Sequence, residues 1–291
     1  MVLSWTKSGH GVRLKASVSQ LPAVSIAETL ALGGGIVDLW YCFLEADDAQ
    51  PLGEYEALMT PDERKRHGSL RFEADRRLFL ATRALVRTSL SRYAAARPDE
   101  WRFAAGRHGK PRIAHPDVTP SLHFNLAHTR GLVACAVSVA HESIGVDAER
   151  IDRATDPLAL AGRFFSPPEV RALNALPAAG QSRLFFSYWT LKESYIKALG
   201  LGLALPLDKF WFLVDDDAQG IRFHSQLEED AARWRFALLD APPFHMIAVG
   251  ADTGGATLSL RASRVEPFSG TAHRDVASGA WRASPAGDRS G

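Results

Sequence analysis

At 291 residues the chain is long enough for about two compact units, and 46% hydrophobic with 23% charged residues is the make-up of a globular protein with a sizeable core. A formal net charge of +1 excludes a general nucleic-acid or polybasic membrane binder, since either needs a marked basic excess. No apolar run reaches the roughly 18 residues of a membrane span, and Met1 to Gln20 lacks the continuous apolar stretch of a signal peptide, so a cytoplasmic protein is expected.

Residues 1–35 read as a loose leader that ends in Gly33-Gly34-Gly35. Ile36 to Leu44 is short, apolar and rich in strand formers, which predicts a buried strand. Cys42 here and Cys135 further on lie in apolar runs and are expected to be buried free thiols. Thr60-Pro61-Asp62-Glu63 is a helix start, with an N-cap threonine, proline at the first helical position and acids in the first turn. A second helix is predicted over Phe72 to Tyr93, where Phe79, Thr82, Val86, Leu90 and Tyr93 form one stripe. Strands are expected at Leu122–Leu126, Leu132–Val139 and Ile144–Glu149.

The pattern then restarts. Helices are predicted over Arg163–Leu176 and Ser182–Leu199, and strands at Phe210–Val214, Arg222–Phe223, Trp234–Leu239 and Met246–Val249. The expected fold is α+β, with two similar α/β lobes joined near residue 142: an N-terminal lobe over 36–142 and a C-terminal lobe over 143–266. Residues 267–291 are rich in Gly, Ala, Ser and Arg with a lone Trp281, a composition that predicts a disordered tail.

Two segments carry chemistry. In Gly145-Val146-Asp147-Ala148-Glu149 the strand period aims Asp147 and Glu149 to one side, where two carboxylates suit a hard cation. In Trp189-Thr190-Leu191-Lys192-Glu193-Ser194-Tyr195-Ile196-Lys197, helical spacing puts Trp189, Glu193 and Lys197 on one face with Lys192 beside it. Taken singly, each has an ordinary explanation: a solvated strand end and a surface ion pair.

Together they resemble the signature of phosphopantetheinyl transferases, specifically the larger two-lobed class that includes the surfactin-synthetase activator. Gly109-Lys110-Pro111, Phe124-Asn125-Leu126-Ala127-His128-Thr129 and Arg163-Phe164-Phe165-Ser166 with Glu169 resemble further elements of that family in the right order. Ala127 stands where the family usually has serine. The resemblance spans Ile36 to Val249. It implies two lobes in a pseudo-twofold arrangement and transfer of the phosphopantetheine arm of coenzyme A to a serine of an apo carrier protein, with release of 3′,5′-ADP and with Mg²⁺ as cofactor. The implied metal carboxylates are Asp147, Glu149 and Glu193. Glu193, directly or through water, is the first candidate base and Glu169 the second. Lys192 and Lys197 would meet the transferred phosphate, with Arg66, Arg77, Lys110, Asn125 and His128 on the coenzyme A side.

The acceptor stays open among acyl, peptidyl and aryl carriers of polyketide, nonribosomal peptide or fatty acid synthases, and a monomer is expected. A Mg²⁺-dependent phosphohydrolase and a non-catalytic carrier-binding relative are the alternatives.

Overall fold

A computed structural model describes residues 30–33, 35–44, 52–106, 109–202, 205–214, 220–227 and 229–267, and the backbone of 272–273 and 281–283. The expected leader lies outside the described residues except for Leu30–Gly33 and Gly35. Two sheets stacked face to face, each covered by one long helix, organise the chain. The first sheet has the order β12-β11-β1-β5-β4, from Ala272–His273, Ser259–Val265, Ile36–Phe43, Leu132–Ser138 and His123–Thr129. The second has the order β13-β9-β10-β6, from Trp281–Ala283, Trp234–Ala241, His245–Asp252 and Ile144–Arg150. Hairpins β2 (Arg102–Ala105) with β3 (Pro111–His115) and β7 (Phe210–Val214) with β8 (Ile221–Ser225) stand apart.

Strand alternation builds three cores. Trp40 and Cys42 of β1 and Val133, Cys135 and Val137 of β5 face helix α3 (Glu73–Leu90). Leu39 and Tyr41, with Leu132, Ala134 and Ala136, face the other sheet, where they meet Ile144, Val146, Ile247 and Val249. The outer side of the second sheet packs under helix α6 (Ala178–Leu199) through Phe236, Leu238, Met246 and Ala248. This mixed α+β architecture is the expected one, and both cysteines are buried and free. Ala127 belongs to the inter-sheet core, an apolar setting in which a serine hydroxyl would need a partner.

Three expectations are corrected. The helix over Arg163–Leu176 is two helices, α4 (Pro157–Phe164) and α5 (Pro167–Asn174). Pro167 disfavours helical backbone in the residue before it, so Ser166 becomes an N-cap instead. Ser259–Val265 does not belong to the C-terminal lobe, because β11 returns to the first sheet and pairs in parallel with β1. Its Arg261 donates to Asp38 Oδ2 at 2.7 Å. The tail is not without structure: β12 pairs with β11, and β13 pairs with β9. Edge pairing is made by backbone groups, so it does not require the apolar side chains whose scarcity suggested disorder.

The contact between α6 and β6 positions the site. A Cβ on Gly145 would lie 2.0 Å from Ser194 O and 2.4 Å from Ala198 N, so only glycine lets the helix backbone approach this closely. Its cross-strand partner Gly250 has the same role, since a Cβ there would lie 3.2 Å from Ser194 Oγ and 2.7 Å from the Phe236 ring. A flat floor of two paired glycines thus lies beneath one turn of α6.

Candidate active site

On β6, Ile144, Val146 and Ala148 face the other sheet, which sends Gly145, Asp147 and Glu149 to the α6 side. With α6 pressed onto Gly145, its Glu193 and Lys197 come to the same place. Lys197 Nζ donates to Asp147 Oδ1 at 2.6 Å, while Asp147 Oδ2 is buried and accepts no hydrogen bond from the described residues. Glu149 is held by Arg153 at 3.1 Å. Burial, then the charge of Asp147, raises the pKa of Glu149. Glu193 is pushed up to about 7 by burial and by the nearby charges of Asp147 and Glu149, against the opposing pull of Lys197.

Glu193 and Lys197 line a cleft of about 290 Å³ with Gly109, Lys110, Pro111, Asn125 and Leu126, so both lobes contribute to it. Asn125 Oδ1 accepts from Val146 N at 2.9 Å and thereby fastens β4 to β6. Lys110 Nζ donates to Ile144 O at 3.0 Å and Ala198 O at 2.9 Å, so two of its three donors bind the last turn of α6 and the start of β6. His128 is exposed at the end of β4. Its pKa is lowered by desolvation and by the positive charges of Lys197 and Arg83, and raised in part by Asp147, which puts it on the rim of the carboxylates.

Beyond His128 the rim continues on α3 and on helix α2 (Pro61–Ser69). Arg83 and Arg66 both lie over the Phe79 ring, 4.7 and 5.7 Å from its centroid. Glu63 fixes this corner: its carboxylate completes the capping box with Thr60 and also takes Arg83 at 3.2 Å and the fully buried Arg87 at 2.8 Å. Arg77 is half-buried on α3. Sequence reasoning missed Arg83. Its signal was its place four residues after Phe79 on the helix face that holds Arg76, but nothing local separates it from its neighbouring arginines.

Two predicted site residues are elsewhere. Lys192 is 1% and Glu169 0% exposed, and they pair with each other at 2.9 Å. Lys192 Nζ also donates to Leu207 O at 2.8 Å and Phe210 O at 2.6 Å. Glu169 accepts from Ser166 N, Ser166 Oγ and Phe212 N. Sealed and fully partnered groups reach neither a phosphate nor a serine hydroxyl. Lys192 is therefore not a substrate contact and Glu169 is not a base.

Among the described residues no group of three or more His, Cys, Asp or Glu side chains is placed to hold a metal ion. Asp147 and Glu149 do supply the oxygen donors that a hard cation takes, and one buried oxygen of Asp147 has no donor among the described residues, while Lys197 and Arg153 pair with the two acids.

Residues 50–140 match the family described as 4′-phosphopantetheinyl transferase, N-terminal, and residues 143–250 match the 4′-phosphopantetheinyl transferase superfamily. The chain is 36% identical over 168 residues to the 4′-phosphopantetheinyl transferase HetI of Nostoc sp., which covers 58% of this chain and 70% of that protein. It is 34% identical over 177 residues to the 4′-phosphopantetheinyl transferase Sfp of Bacillus subtilis, over 58% and 75% of the two chains. A phosphopantetheinyl transferase of Thraustochytrium sp. is 32% identical over 213 residues, over 68% and 71%. These matches run through both lobes and through the cleft between them, and the chain belongs to the 4′-phosphopantetheinyl transferase superfamily, as an enzyme that transfers phosphopantetheine to carrier proteins.

Proposed function

We propose that the cleft where α6 crosses β6 is the transfer site, with coenzyme A as donor, Mg²⁺ as cofactor and a carrier-protein serine as acceptor. The observation that carries this reading is the convergence of Asp147, Glu149, Glu193 and Lys197 over the Gly145–Gly250 floor. Asp147, Glu149 and Glu193 would hold Mg²⁺, which supplies charge neutralisation to the pyrophosphate. Lys197 pairs with Asp147 and lines the cleft alongside Glu193, and it is placed to turn from Asp147 to a phosphate oxygen. His128, Arg83, Arg66 and Arg77 would give the first lobe its cationic rim for the nucleotide phosphates.

In the reaction, the serine Oγ attacks the β-phosphorus of coenzyme A. A new O–P bond forms while the bond to the bridging oxygen breaks, and 3′,5′-ADP leaves. The serine proton passes to Glu193, which lines the open cleft. A carboxylate has two oxygens, so cation binding and proton acceptance can rest on one residue. The acceptors are carrier domains of polyketide, nonribosomal peptide or fatty acid synthases, met by a cytoplasmic monomer. The near-neutral charge and the lack of any described helix long and apolar enough to cross a membrane support that setting.

The test is incubation with coenzyme A, Mg²⁺ and apo acyl, peptidyl or aryl carrier proteins, read by intact mass. Release of 3′,5′-ADP without a carrier would instead favour a phosphohydrolase.

A further inference from the structure

Lys192 lies outside the cleft, yet it directly precedes Glu193 on α6. Its ammonium joins α6 to three other places: Glu169 in the first turn of α5, Leu207 in the turn before β7, and Phe210 at the start of β7. Glu169 extends the connection, since its other oxygen accepts from Phe212 N at 3.1 Å. The ammonium also sits 4.5 Å from the Phe210 ring centroid and 5.3 Å from that of Phe165. On the opposite side of the helix, the backbone at Ser194 and Ala198 rests on Gly145. Glu193 and Lys197 are thus bracketed between a charged strut and a close backbone contact.

Stability alone need not call for such a strut. A buried ion pair is often replaced by apolar side chains of similar volume with no loss of stability, because desolvation cancels much of its attraction. What apolar residues cannot supply is direction: the pair fixes the lysine by hydrogen bonds to one carboxylate and two carbonyls, which define one position of α6 along its axis. A displacement of about 1 Å at a reacting group can cost on the order of a hundredfold in rate.

We infer that Lys192 and Glu169 are positioning residues, which hold α6 so that Glu193 meets Asp147 and the substrate. This rests on Glu193 being the acid of the transfer site.

The experiment compares three variants with the parent: Glu169→Leu/Lys192→Met, which keeps the volume of the pair; Glu169→Gln, which keeps its shape; and Glu193→Gln. Thermal melting, coenzyme A affinity by calorimetry without divalent cation, and kcat and KM for coenzyme A with one apo carrier protein are measured well below each Tm. The double variant is expected to melt cooperatively and to bind coenzyme A within about threefold of the parent, while kcat falls more than about fivefold with KM little changed. A smaller fall in kcat overturns the inference, as does a folded variant that loses coenzyme A binding along with turnover. Should the double variant not fold, Glu169→Gln is judged by the same thresholds. A fully active Glu193→Gln would sink the site reading itself, whereas an inactive Glu193→Gln beside a fully active double variant sinks only the positioning claim.

Discussion

Helix α6 carries two lysine–carboxylate pairs that differ in almost every respect. Lys192 and Glu169 are 1% and 0% exposed, and each has further partners. Lys197 and Asp147 are 30% and 9% exposed, and the second oxygen of Asp147 is buried with no donor among the described residues. At about 100° per residue, five residues separate the two lysines by about 140° around the helix, so one short motif serves a core and a cleft. The contrast separates two uses of charge. Where both charged groups are partnered within the chain, the pair builds structure; where acids lie together and one buried oxygen has no donor among the described residues, there is room for a partner from outside.

The sharpest way to break this comparison is to remove a carboxylate from each pair. Asp147→Asn should lower kcat by about 10²- to 10³-fold while leaving Tm unchanged or higher, since it relieves a crowded set of acids. Glu169→Gln should instead lower Tm, because it leaves the buried Lys192 without its counter-charge. Equal rates for Asp147→Asn and the parent would remove the cleft from the chemistry.

A second test uses pH. Glu193 has its folded pKa raised from 4.5 to about 7, so the metal-free folded chain holds that proton more tightly than the unfolded chain does. The stability it contributes is complete below about 4.5 and is lost as pH rises through about 7. Melting temperatures of parent and Glu193→Gln should therefore differ in slope over that window, with the parent falling more steeply. A Glu193→Gln variant whose Tm follows the same slope as the parent's would remove Glu193 as the titrating group.

The rim should respond less. Arg83→Ala should raise KM for coenzyme A by about tenfold, the order of one charge-assisted hydrogen bond, with little change in kcat. The increase should shrink at high salt; a KM equal to the parent's would leave the rim to its other residues. Smallest of all, among the described residues deleting 268–291 removes only the short pairings of β12 and β13. A Tm lower by about 2–4 °C with unchanged turnover is expected, the order of 1 kcal/mol for a chain of this size. A loss of turnover would give these segments a role at the cleft.

Much of the framework is legible in the sequence because its signals are local. The stripe from Phe79 to Leu90 reports the burial of one helix face, and the apolar run of Ile36–Phe43 reports a strand buried on both faces. The spacing of Asp147 and Glu149 likewise survives folding, since strand geometry alone sets it. What was hidden depends on partners far along the chain. Lys192 and Lys197 look equally available in the motif, and only Glu169 and the carbonyls of 207 and 210 decide which one is sealed. Arg83 resembles Arg76 and Arg77 until Glu63 and His128 come into place. Parallel pairing of Ser259–Val265 with β1 joins residues 223 apart at Arg261 and Asp38, beyond the reach of any local pattern.

The central claim is that Asp147, Glu149 and Glu193 form one cation-holding centre beside the pyrophosphate. Mn²⁺ titrated into the protein with coenzyme A, counted by electron paramagnetic resonance of the free ion, tests it most directly. The parent should hold a single tightly bound ion per chain, and Asp147→Asn should hold none at the same concentrations. Undiminished Mn²⁺ binding by Asp147→Asn would contradict it.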